Sequence, residues 1–333
     1  MAPLVEAPAP LPAPLPAPLP ATANAKSFHE PPLLTVYRPT GSVDLRHTLG
    51  PLGRGPNDPT TVWDERGVWR TFATPDGPVS VRLEQLRDGI SAAAWGAGAE
   101  WAIERVPHLL GRDDDWSTLD VRGTPLLHET FRRHPGIRLT STQRVFEALA
   151  PAIIEQKVTS VEAYRAWARL VRLFGDAAPG PAPERMRVAP SPDTWRRIPS
   201  WEWHKAGVDP RRSRTVIAAA TVASSLERAV ASAPTLADAG ARLRTVSGVG
   251  VWTAAETIQR SHGDPDAVSV GDYHLAHYVG SALIGRRVDD DGMLELLEPW
   301  AGQRQRVIRL ILASGHRDER HGPRMTIQDH RGH

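Results

Sequence analysis

Short runs of apolar and β-branched residues alternate with polar residues in the first third of the chain. Turn residues divide these runs, which begin between Leu33 and Val81 and read LLTVY, TTVWD, VWRTFAT and VSVRL. Alternating runs that are separated by Gly, Pro, Asn and Asp are typical of short strands joined by hairpins. The pattern therefore predicts a small antiparallel sheet.

Beyond this region, apolar residues recur at the spacing of one helix face. The predicted helices cover residues 99–110, 144–158, 161–174, 212–231 and 304–312. Pro151 lies inside the second of them and is expected to kink or divide it. Five prolines between residues 176 and 192 predict a loop. The predicted fold class is mainly α, with a small antiparallel β-rich part (α+β).

Changes in composition divide the chain into four parts. Residues 1–27 repeat Pro-Ala-Pro-Leu, which favours polyproline II and supplies no core, so a disordered tail or a docking peptide is predicted there. We assign residues 28–112 to an N-terminal β-rich domain and residues 113–316 to a helical body. Residues 317–333 are polar and basic, which predicts a flexible tail.

The composition restricts the chemistry that the chain can perform. The absence of cysteine excludes disulfides, cysteine nucleophiles and cysteine-ligated iron–sulfur clusters. A formal net charge of +2 is too small to indicate nucleic-acid binding by itself. Arginine supplies 37 of the 40 basic residues, which either favours bidentate phosphate contacts or reflects a GC-rich genome. No window has the roughly 18 apolar residues of a membrane span, and the proline-rich start is unlike a secretory signal, so a cytoplasmic protein is expected.

A helix–turn–helix segment at residues 235–260 has the features of a phosphate-binding hairpin. Thr235 is placed to cap the first helix, and Ser-Gly-Val-Gly forms the turn to the second. Gly248 and Gly250 permit a tight turn and leave the amides of the second helix accessible to a phosphate. An ordinary helical elbow is the alternative interpretation, because Gly-x-Gly alone is a weak signature.

Asp272 follows the hairpin closely, in the sequence GDYH. An Asp after Gly and before apolar positions 275, 279 and 283 is a good helix N-cap, and capping alone is one interpretation. The other is catalysis, because a fixed carboxylate stabilises an oxocarbenium-like transition state or activates water for glycosidic cleavage. The two roles are compatible, since a cap holds the carboxylate in one place.

The sequence LRTVSGVGVWTAAE at 243–256, followed by GDYH, resembles the helix-hairpin-helix (HhH-GPD) superfamily of DNA glycosylases. Within that superfamily it is most similar to the 3-methyladenine DNA glycosylase II branch. The resemblance extends upstream to RVFEALAPAIIEQKVTS at 144–160 and covers most of residues 40–315. It implies an enzyme of base-excision repair that flips a damaged base out of double-stranded DNA and hydrolyses its glycosidic bond.

The resemblance also implies roles for individual positions. Asp272 falls on the catalytic acid, and Gln156 falls on a residue that approaches the flipped base. Trp252 occupies the position at which bifunctional members carry a Schiff-base lysine, so a monofunctional enzyme without AP-lyase activity is implied. Trp252 is instead expected to stack on a base or line the pocket. Tyr273, beside the acid, is expected to line the pocket and position Asp272.

Two positions depart from the pattern of the branch. Lys157 follows Gln156 where an apolar wedge is more usual, and it is expected to enter the gap left by the flipped base or to contact phosphate. Glu256 lies one helical turn after Trp252, where relatives often have an aromatic residue. Its carboxylate either favours a cationic methylated base or points to solvent. The range of damaged bases is therefore left open.

The remaining implied contacts involve the DNA backbone and a cation. A monovalent cation would be held by the backbone carbonyls of Arg244, Val246 and Val249. Side-chain metal ligands are not expected, because the histidines lack metal-ligand spacing. Arg304 is expected either to contact phosphate or to form a solvated helix edge. The expected DNA-binding residues are Gly248, Val249, Gly250, Thr253, Lys157 and Arg304.

The sequence thus predicts a monomeric DNA N-glycosylase of a bacterial nucleoid that requires no cofactor. Its predicted substrates are alkylated purines of the 3-methyladenine and 7-methylguanine type, and its product is an abasic site. A non-catalytic, lesion-sensing DNA-binding protein is the alternative from another class, and Asp272 argues against it because a pure binder has no need of that acid. A glycosylase for deaminated or oxidised bases is the third hypothesis.

Overall fold

The computed structural model of the chain describes residues 31–317. The predicted N-terminal tail, residues 1–27, lies outside the described residues, as does all of the predicted C-terminal tail except its first residue. Within the described part, the architecture is mainly helical with one small antiparallel sheet, as the sequence predicts.

The sheet has five antiparallel strands in the order β1-β5-β4-β3-β2. The strands are β1 Leu33–Tyr37, β2 Thr61–Trp63, β3 Gly67–Thr74, β4 Gly77–Leu86 and β5 Gly89–Trp95. Hydrophobic alternation predicts all of them except β5. That strand contains three consecutive alanines, which lack the β-branched side chains of a typical strand. It lies between β1 and β4, and the small Ala92 and Ala94 are almost fully buried there.

Two helices complete the N-terminal part of the molecule. Helix α1 covers Leu45–Leu49 and runs into a short 3-10 helix at Gly50–Leu52, whereas α2 covers Ala99–Leu109 and packs on β1, β4 and β5. Their buried side chains and those of the sheet form the N-terminal core, which draws its residues from positions 43–110. The predicted helix at 99–110 is confirmed to within one residue.

Twelve helices follow in the described part of the chain. They are α3 Pro125–Arg133, α4 Val145–Ile154, α5 Ser160–Phe174, α6 Pro192–Arg197, α7 Ser200–Lys205, α8 Pro210–Thr221, α9 Ala223–Ala231, α10 Leu236–Leu243, α11 Val251–Ser261, α12 Leu275–Ile284, α13 Asp290–Leu297 and α14 Arg304–Ala313. A further 3-10 helix lies at Glu298–Trp300. The predicted loop at 176–192 contains a two-stranded ribbon of β6 Asp176–Ala177 and β7 Arg187–Val188.

Two details of the predicted helices differ in the structure. Helix α4 continues through Pro151 and ends three residues later, so Pro151 does not divide it. The single helix predicted over 212–231 is two helices, α8 and α9, which meet at Val222. The backbone of Val222 leaves the helical region, with φ −109° and ψ 12°, and no glycine or proline marks this break in the sequence.

The helical body contains two separate hydrophobic cores. The hairpin core takes its residues from positions 145–258 and includes α4, α5, α8 and the helices α10 and α11. The terminal core takes its residues from 116–137 and 268–311, so α3 packs there beside α12 and α14. The composition of residues 113–316 predicts one helical body and does not reveal that it contains two cores.

Arginine side chains connect the N-terminal part to the helical body. Four of them donate hydrogen bonds to backbone carbonyls of the N-terminal part, and two arginines of the N-terminal part form ion pairs with α4 and its end. The hydrogen bonds are Arg260 to Pro51 at 2.9 Å, Arg172 to Asn57 at 2.7 Å, Arg144 to Ala73 at 3.1 Å and Arg309 to His47, and the ion pairs are Arg54 with Glu155 at 2.9 Å and Arg70 with Glu147 at 3.1 Å. In residues 31–317, every helix is too short or too polar to cross a lipid bilayer.

Candidate active site

The hairpin predicted at 235–260 consists of α10, a glycine turn and α11. Thr235 caps α10 by accepting a hydrogen bond from the backbone N–H of Asp238 at 3.1 Å. Gly248 has φ +89°, and a Cβ at this position would lie 2.2 Å from Oγ1 of Thr215 on α8. The positive φ and the close approach both require glycine, so the turn is pressed against the hairpin core.

The N-terminus of α11 is open to solvent. Gly250 is its N-cap, with φ −96°, and a Cβ added there would meet nothing within 4 Å. A side-chain cap is absent from this helix, so the amides of its first turn keep their hydrogen-bonding capacity. Val251, the first helical residue, is 46% exposed. This end of α11 can therefore accept an anionic group at close range.

Gln156 connects the end of α4 to the hairpin. Its side-chain amide donates to the carbonyl of Gly248 at 2.9 Å and to Oγ1 of Thr253 at 2.8 Å. Thr253 is buried and its hydroxyl accepts the bond from Gln156, so its side chain does not face a phosphate as predicted. The structure therefore brings Gln156 to the hairpin turn, where it braces the loop from inside.

Lys157 follows Gln156 in the loop between α4 and α5. Its side chain is exposed and its φ is +55°, one of two positive values among the described non-glycine residues. A left-handed conformation in a residue with a long side chain is uncommon and marks a tightly constrained turn. The turn places a flexible cation next to the open end of α11.

Asp272 lies across from α11 and is held by three donors. Its Oδ1 accepts hydrogen bonds from the backbone N–H groups of His274 at 2.9 Å and Leu275 at 3.0 Å. Its Oδ2 accepts the indole N–H of Trp252 at 3.1 Å. The N-cap of α12 is His274 rather than the predicted Asp272, whose carboxylate accepts the first amides of the helix from two residues earlier, and its other oxygen faces the hairpin helix.

The carboxylate and the hairpin belong to different cores. Val249 and Ala254 of the hairpin pack in the hairpin core, whereas Val268 and Ala276, on either side of Asp272, pack in the terminal core. The bond from Trp252 to Asp272 joins the two. The candidate site thus lies where the two cores of the helical body meet.

Glu256 takes neither of the positions expected from the sequence. Its carboxylate forms an ion pair with Arg260 at 2.7 Å and accepts the hydroxyl hydrogen of Ser269 at 2.5 Å. The side chain is only 14% exposed. It is therefore engaged inside the protein and holds the segment that leads to Asp272.

Gln259 supports the same segment and was not singled out in the sequence. Its side-chain amide donates to the carbonyl of Ala267 at 2.9 Å and to Oγ of Ser269 at 3.0 Å. Ser269, which is buried, thus contacts both Glu256 and Gln259 three residues before the acid. A polar residue one turn after Glu256 on the same helix was the available sequence signal, but nothing in the pattern identifies its partner.

Two other predicted residues lie at the margins of the site. Arg304 forms a bidentate ion pair with Asp266, in which Nε lies 2.8 Å from Oδ1. A phosphate would have to compete with that carboxylate for the guanidinium group. Tyr273 is 71% exposed and its ring packs edge-on against His274 with centroids 4.8 Å apart. The ring is therefore available to a ligand. Among the described residues, no hydrogen bond joins the Tyr273 side chain to Asp272.

The turn of the hairpin offers neutral oxygen donors to a cation. Arg244 is the C-cap of α10, and carbonyls at a helix C-terminus lack intrahelical partners. The Val246 carbonyl accepts one hydrogen bond, from the N–H of Val249 at 3.0 Å, and keeps a second lone pair. Backbone oxygens of this kind fit a hard monovalent cation, so the residues agree with the group that the resemblance implies.

The chain was compared with known proteins. No protein-family model matches it. A Bacillus subtilis (strain 168) protein named DNA-3-methyladenine glycosylase is 25% identical over 213 residues, which span 60% of this chain and 69% of that protein. The structure of a 3-methyladenine DNA glycosylase from Archaeoglobus fulgidus aligns with a TM-score of 0.70 at 18% identity, covering 84% of this chain and 98% of its own.

A second solved structure has the same architecture. The 8-oxoguanine glycosylase/lyase from Clostridium acetobutylicum, in its apo form, aligns with a TM-score of 0.65 at 13% identity, covering 87% of this chain and all of its own. At such identities the likeness establishes the fold. Together with the sequence match, the shared fold confirms the resemblance seen in the hairpin and GDYH motifs.

Proposed function

We propose, from the helix-hairpin-helix DNA glycosylase fold of this chain, that it is a monofunctional DNA N-glycosylase that releases alkylated purines. The observation that carries the proposal is the Asp272 carboxylate, held by Trp252 and by the first turn of α12 opposite the open end of the hairpin. A fixed carboxylate beside a phosphate-binding helix end is what glycosidic cleavage in DNA requires.

The geometry supports a division of labour between the two sides of the site. The amides of α11 and the side chain of Lys157 would hold the DNA backbone while the target nucleotide leaves the helix. As the bond between C1′ and the base nitrogen breaks, the sugar gains positive charge, which Asp272 would stabilise. Water then adds its oxygen to C1′ and gives up a proton, and the products are a free base and an abasic site.

The positions of the two described lysines favour hydrolysis of the glycosidic bond without cleavage of the DNA strand. A lyase step needs an amine that attacks C1′, and Trp252 offers none at the position implied for it. The described residues include two lysines, of which Lys205 lies on α7 in an ion pair with Glu202 at 3.0 Å. Lys157 is the one beside the hairpin, and we assign it to the gap left by the flipped base or to a phosphate.

Alkylated purines are the substrate class that the site favours. Alkylation at N3 or N7 gives the purine a positive charge, and an indole face attracts a cation more strongly than other aromatic rings do. Trp252 is half-buried beside Asp272 and would supply that face. Glu256 would not recognise the base directly, because Arg260 and Ser269 already occupy its carboxylate. The Bacillus subtilis relative, named as a 3-methyladenine glycosylase, is consistent with this class.

The partner is expected to be duplex DNA, because a protein of similar fold has been solved in complex with it. The Clostridium acetobutylicum glycosylase is also known in complex with double-stranded DNA, at a TM-score of 0.63 and 13% identity. A monovalent cation on the carbonyls of Arg244, Val246 and Val249 would add positive charge close to the bound phosphate. The chain itself supplies the amides, the acid and the indole.

The test is release of free base from methylated duplex DNA by the wild type and Asp272→Asn. Asparagine is as good an N-cap as aspartate, so the variant should fold, and its rate should fall by at least about 100-fold. Asp289→Asn is the matched control, because Asp289 caps α13 by accepting the N–H of Gly292 at 2.9 Å. The control should keep the wild-type rate.

Four outcomes would contradict parts of the proposal. An active wild type that Asp272→Asn matches would remove the catalytic role. A wild type that releases 8-oxoguanine or uracil but no methylated purine would replace the substrate class, and one that binds damaged DNA without releasing any base would be a lesion sensor. A borohydride-trapped protein–DNA adduct would show a lyase, with Lys157→Ala identifying the amine.

A further inference from the structure

Three metal-binding side chains meet on the face of the molecule where α1 approaches the end of α3. Asp44 is the N-cap of α1, His47 is in that helix, and His134 follows α3. We propose that these residues form a binding site for Zn²⁺ or a similar first-row transition-metal ion. Their positions in the sequence are too far apart for a spacing motif to indicate the site.

The donor atoms are already close together. One ligand atom from each residue lies within 4.8 Å of the others. The carboxylate Oδ2 of Asp44 is 2.7 Å from Nδ1 of His47, and the rings of His47 and His134 have centroids 4.6 Å apart. Zinc bonds to nitrogen and oxygen are about 2.0–2.2 Å long, so small side-chain rotations would bring all three donors onto one ion.

The donor set is selective for this class of metal. Two imidazoles and one carboxylate suit zinc and neighbouring transition metals, whereas magnesium and calcium prefer oxygen ligands. Asp44 is also braced from behind, because its Oδ1 accepts the backbone N–H of His47 at 2.9 Å. Such a bond orients a ligating carboxylate, and an ion would replace the hydrogen bond between its Oδ2 and Nδ1 of His47.

The cluster opens on a surface cavity of about 450 Å³ lined by Asp44 and His134. The cavity gives room for a water molecule in the fourth position of a tetrahedral site. Arginines and acids line the same cavity and partly offset each other: Arg46, Arg66 and Arg133 oppose a cation, and Asp64 and Glu65 favour it. Arg133 is paired with Glu129 at 3.1 Å and Arg46 lies over the Trp63 ring.

A bound ion would join the N-terminal part to the helical body. His134 lies in residues 116–137, which contribute to the terminal core, whereas Asp44 and His47 lie in the N-terminal part. The backbone already connects them, since the N–H of Asp44 donates to the carbonyl of Gly136 at 2.7 Å. The site would therefore act as a structural clamp, remote in sequence from the hairpin and from Asp272.

The experiment is a zinc titration of the full-length chain, free of any affinity tag and dialysed against a chelator. Calorimetry should give saturable binding, and one equivalent of Zn²⁺ should raise Tm by several degrees, because a ligand that binds only the folded state stabilises it. Substituting Co²⁺ should give the visible absorption bands of a tetrahedral site. None of these readouts depends on glycosylase activity, so the proposal stands or falls apart from the proposed function.

Two variants and one control locate the site. His134→Gln and Asp44→Asn should each weaken the affinity of this site by more than about tenfold, since even outer ligand contacts are worth about 10- to 100-fold. Asp44→Asn keeps the N-cap of α1 and so reports the lost donor rather than a lost helix. His128→Gln, on the exposed face of α3, should bind zinc as the wild type does.

Two results would overturn the proposal. If the wild type takes up no zinc under these conditions, the cluster is a helix cap with a packed histidine. If all three variants lose or keep binding alike, the zinc sits on other histidines of the chain and the assignment is wrong.

Discussion

Trp252 and Asp272 form the contact on which the chemistry of the site rests. The indole N–H fixes the orientation of one carboxylate oxygen at 3.1 Å, and the backbone of α12 fixes the other. A hydrogen bond to a charged group is worth about 1.5–3 kcal/mol, so losing it should be visible in the rate.

Replacing Trp252 with Phe keeps an aromatic ring and removes the donor to Asp272. The single-turnover rate of base release should fall by about 10- to 100-fold, in line with the energy of one charged hydrogen bond. Trp201→Phe is the control, because Trp201 is 60% exposed on α7, away from the site. A rate unchanged in Trp252→Phe would mean that the indole does not orient the acid.

Glu147 introduces a pH dependence of stability at the residue scale. Burial raises the pKa of Glu147 to about 7, against the opposing effect of Arg70, whose guanidinium lies 3.1 Å away. Arg144 also lowers this pKa and Glu227 raises it. Because the folded state holds the proton more tightly than the unfolded state, this contribution to stability is complete below about pH 4 and is lost as the pH rises towards 7.

The loss over that window should be on the order of 3 kcal/mol, at about 1.4 kcal/mol per pKa unit for a rise from 4.5 to about 7. Denaturant unfolding at several pH values between 4.5 and 7.5 measures it for the wild type and Glu147→Gln. Glutamine stays neutral at every pH, as Glu147 does in the folded state below its raised pKa, so the two proteins are compared by the slope of stability against pH. The slope should flatten in Glu147→Gln and persist in Glu184→Gln, whose side chain is exposed.

The sequence identifies Asp272 as the candidate acid, but it does not predict the contacts of Glu256. The capping pattern and the resemblance both select Asp272 from the sequence, and the structure gives it a cap geometry. Glu256 was expected at a base or in solvent, and its partners Arg260 and Ser269 lie one turn along α11 and in the following loop. The i,i+4 spacing of Glu256 and Arg260 is a local signal for their pair, whereas the bond to Ser269 depends on how the following loop folds back.

The hairpin is the element whose local sequence determines its structure most completely. Its cap at Thr235, its turn glycines and the start of α11 all follow from nearest-neighbour rules, so the sequence predicts them. Strand β5 is different, because three alanines form a strand only between two neighbours that bury them. The break between α8 and α9 at Val222 likewise reflects packing against other helices rather than a breaker residue.

The two turn glycines should behave in opposite ways when a methyl group is added. Gly248→Ala forces a positive φ on alanine and places Cβ against Thr215, so the free energy of unfolding should fall by about 2–4 kcal/mol. Gly250→Ala meets no atom within 4 Å and should fold normally. Its Cβ would stand where a phosphate approaches α11, so affinity for duplex DNA should fall.

Denaturant unfolding and fluorescence anisotropy on an abasic duplex separate these two effects. The pair is informative because each variant serves as the control for the other. Full DNA affinity in a stable Gly250→Ala would mean that the open end of α11 does not face the backbone.

At the scale of the whole molecule, buried arginines hold the N-terminal part against the helical body. Arg54 and Glu155 are one such pair, with side chains 6% and 16% exposed, and Arg70 with Glu147 is another. Glu155 precedes Gln156, so this pair also anchors the loop that braces the hairpin. Long-range pairing of this kind is invisible to local sequence patterns, which treat each arginine as one of many.

Arg54→Met should lower the free energy of unfolding by about 3 kcal/mol, because it leaves Glu155 nearly buried without its partner. Adding Glu155→Leu removes that stranded charge and should recover part of the loss. Both variants are measured by denaturant unfolding at neutral pH. Equal destabilisation in the single and double variants would show that the Glu155 carboxylate carries no penalty when it is left without its partner.

The bond between Trp252 and Asp272 joins the hairpin core to the terminal core. It therefore reports how the two cores are positioned relative to each other. An indole N–H in a hydrogen bond to a carboxylate has a shifted proton resonance, so one cross-peak in a ¹⁵N spectrum would follow the register of the two cores. Warming that loosens their contact would move this peak and abolish catalysis while each core stayed folded. The temperature at which the enzyme stops working would then be set by the junction of the two cores, where the bonds of Glu256 and Gln259 to Ser269 lie beside that of Trp252 to Asp272, and it would lie below the temperature at which the chain melts.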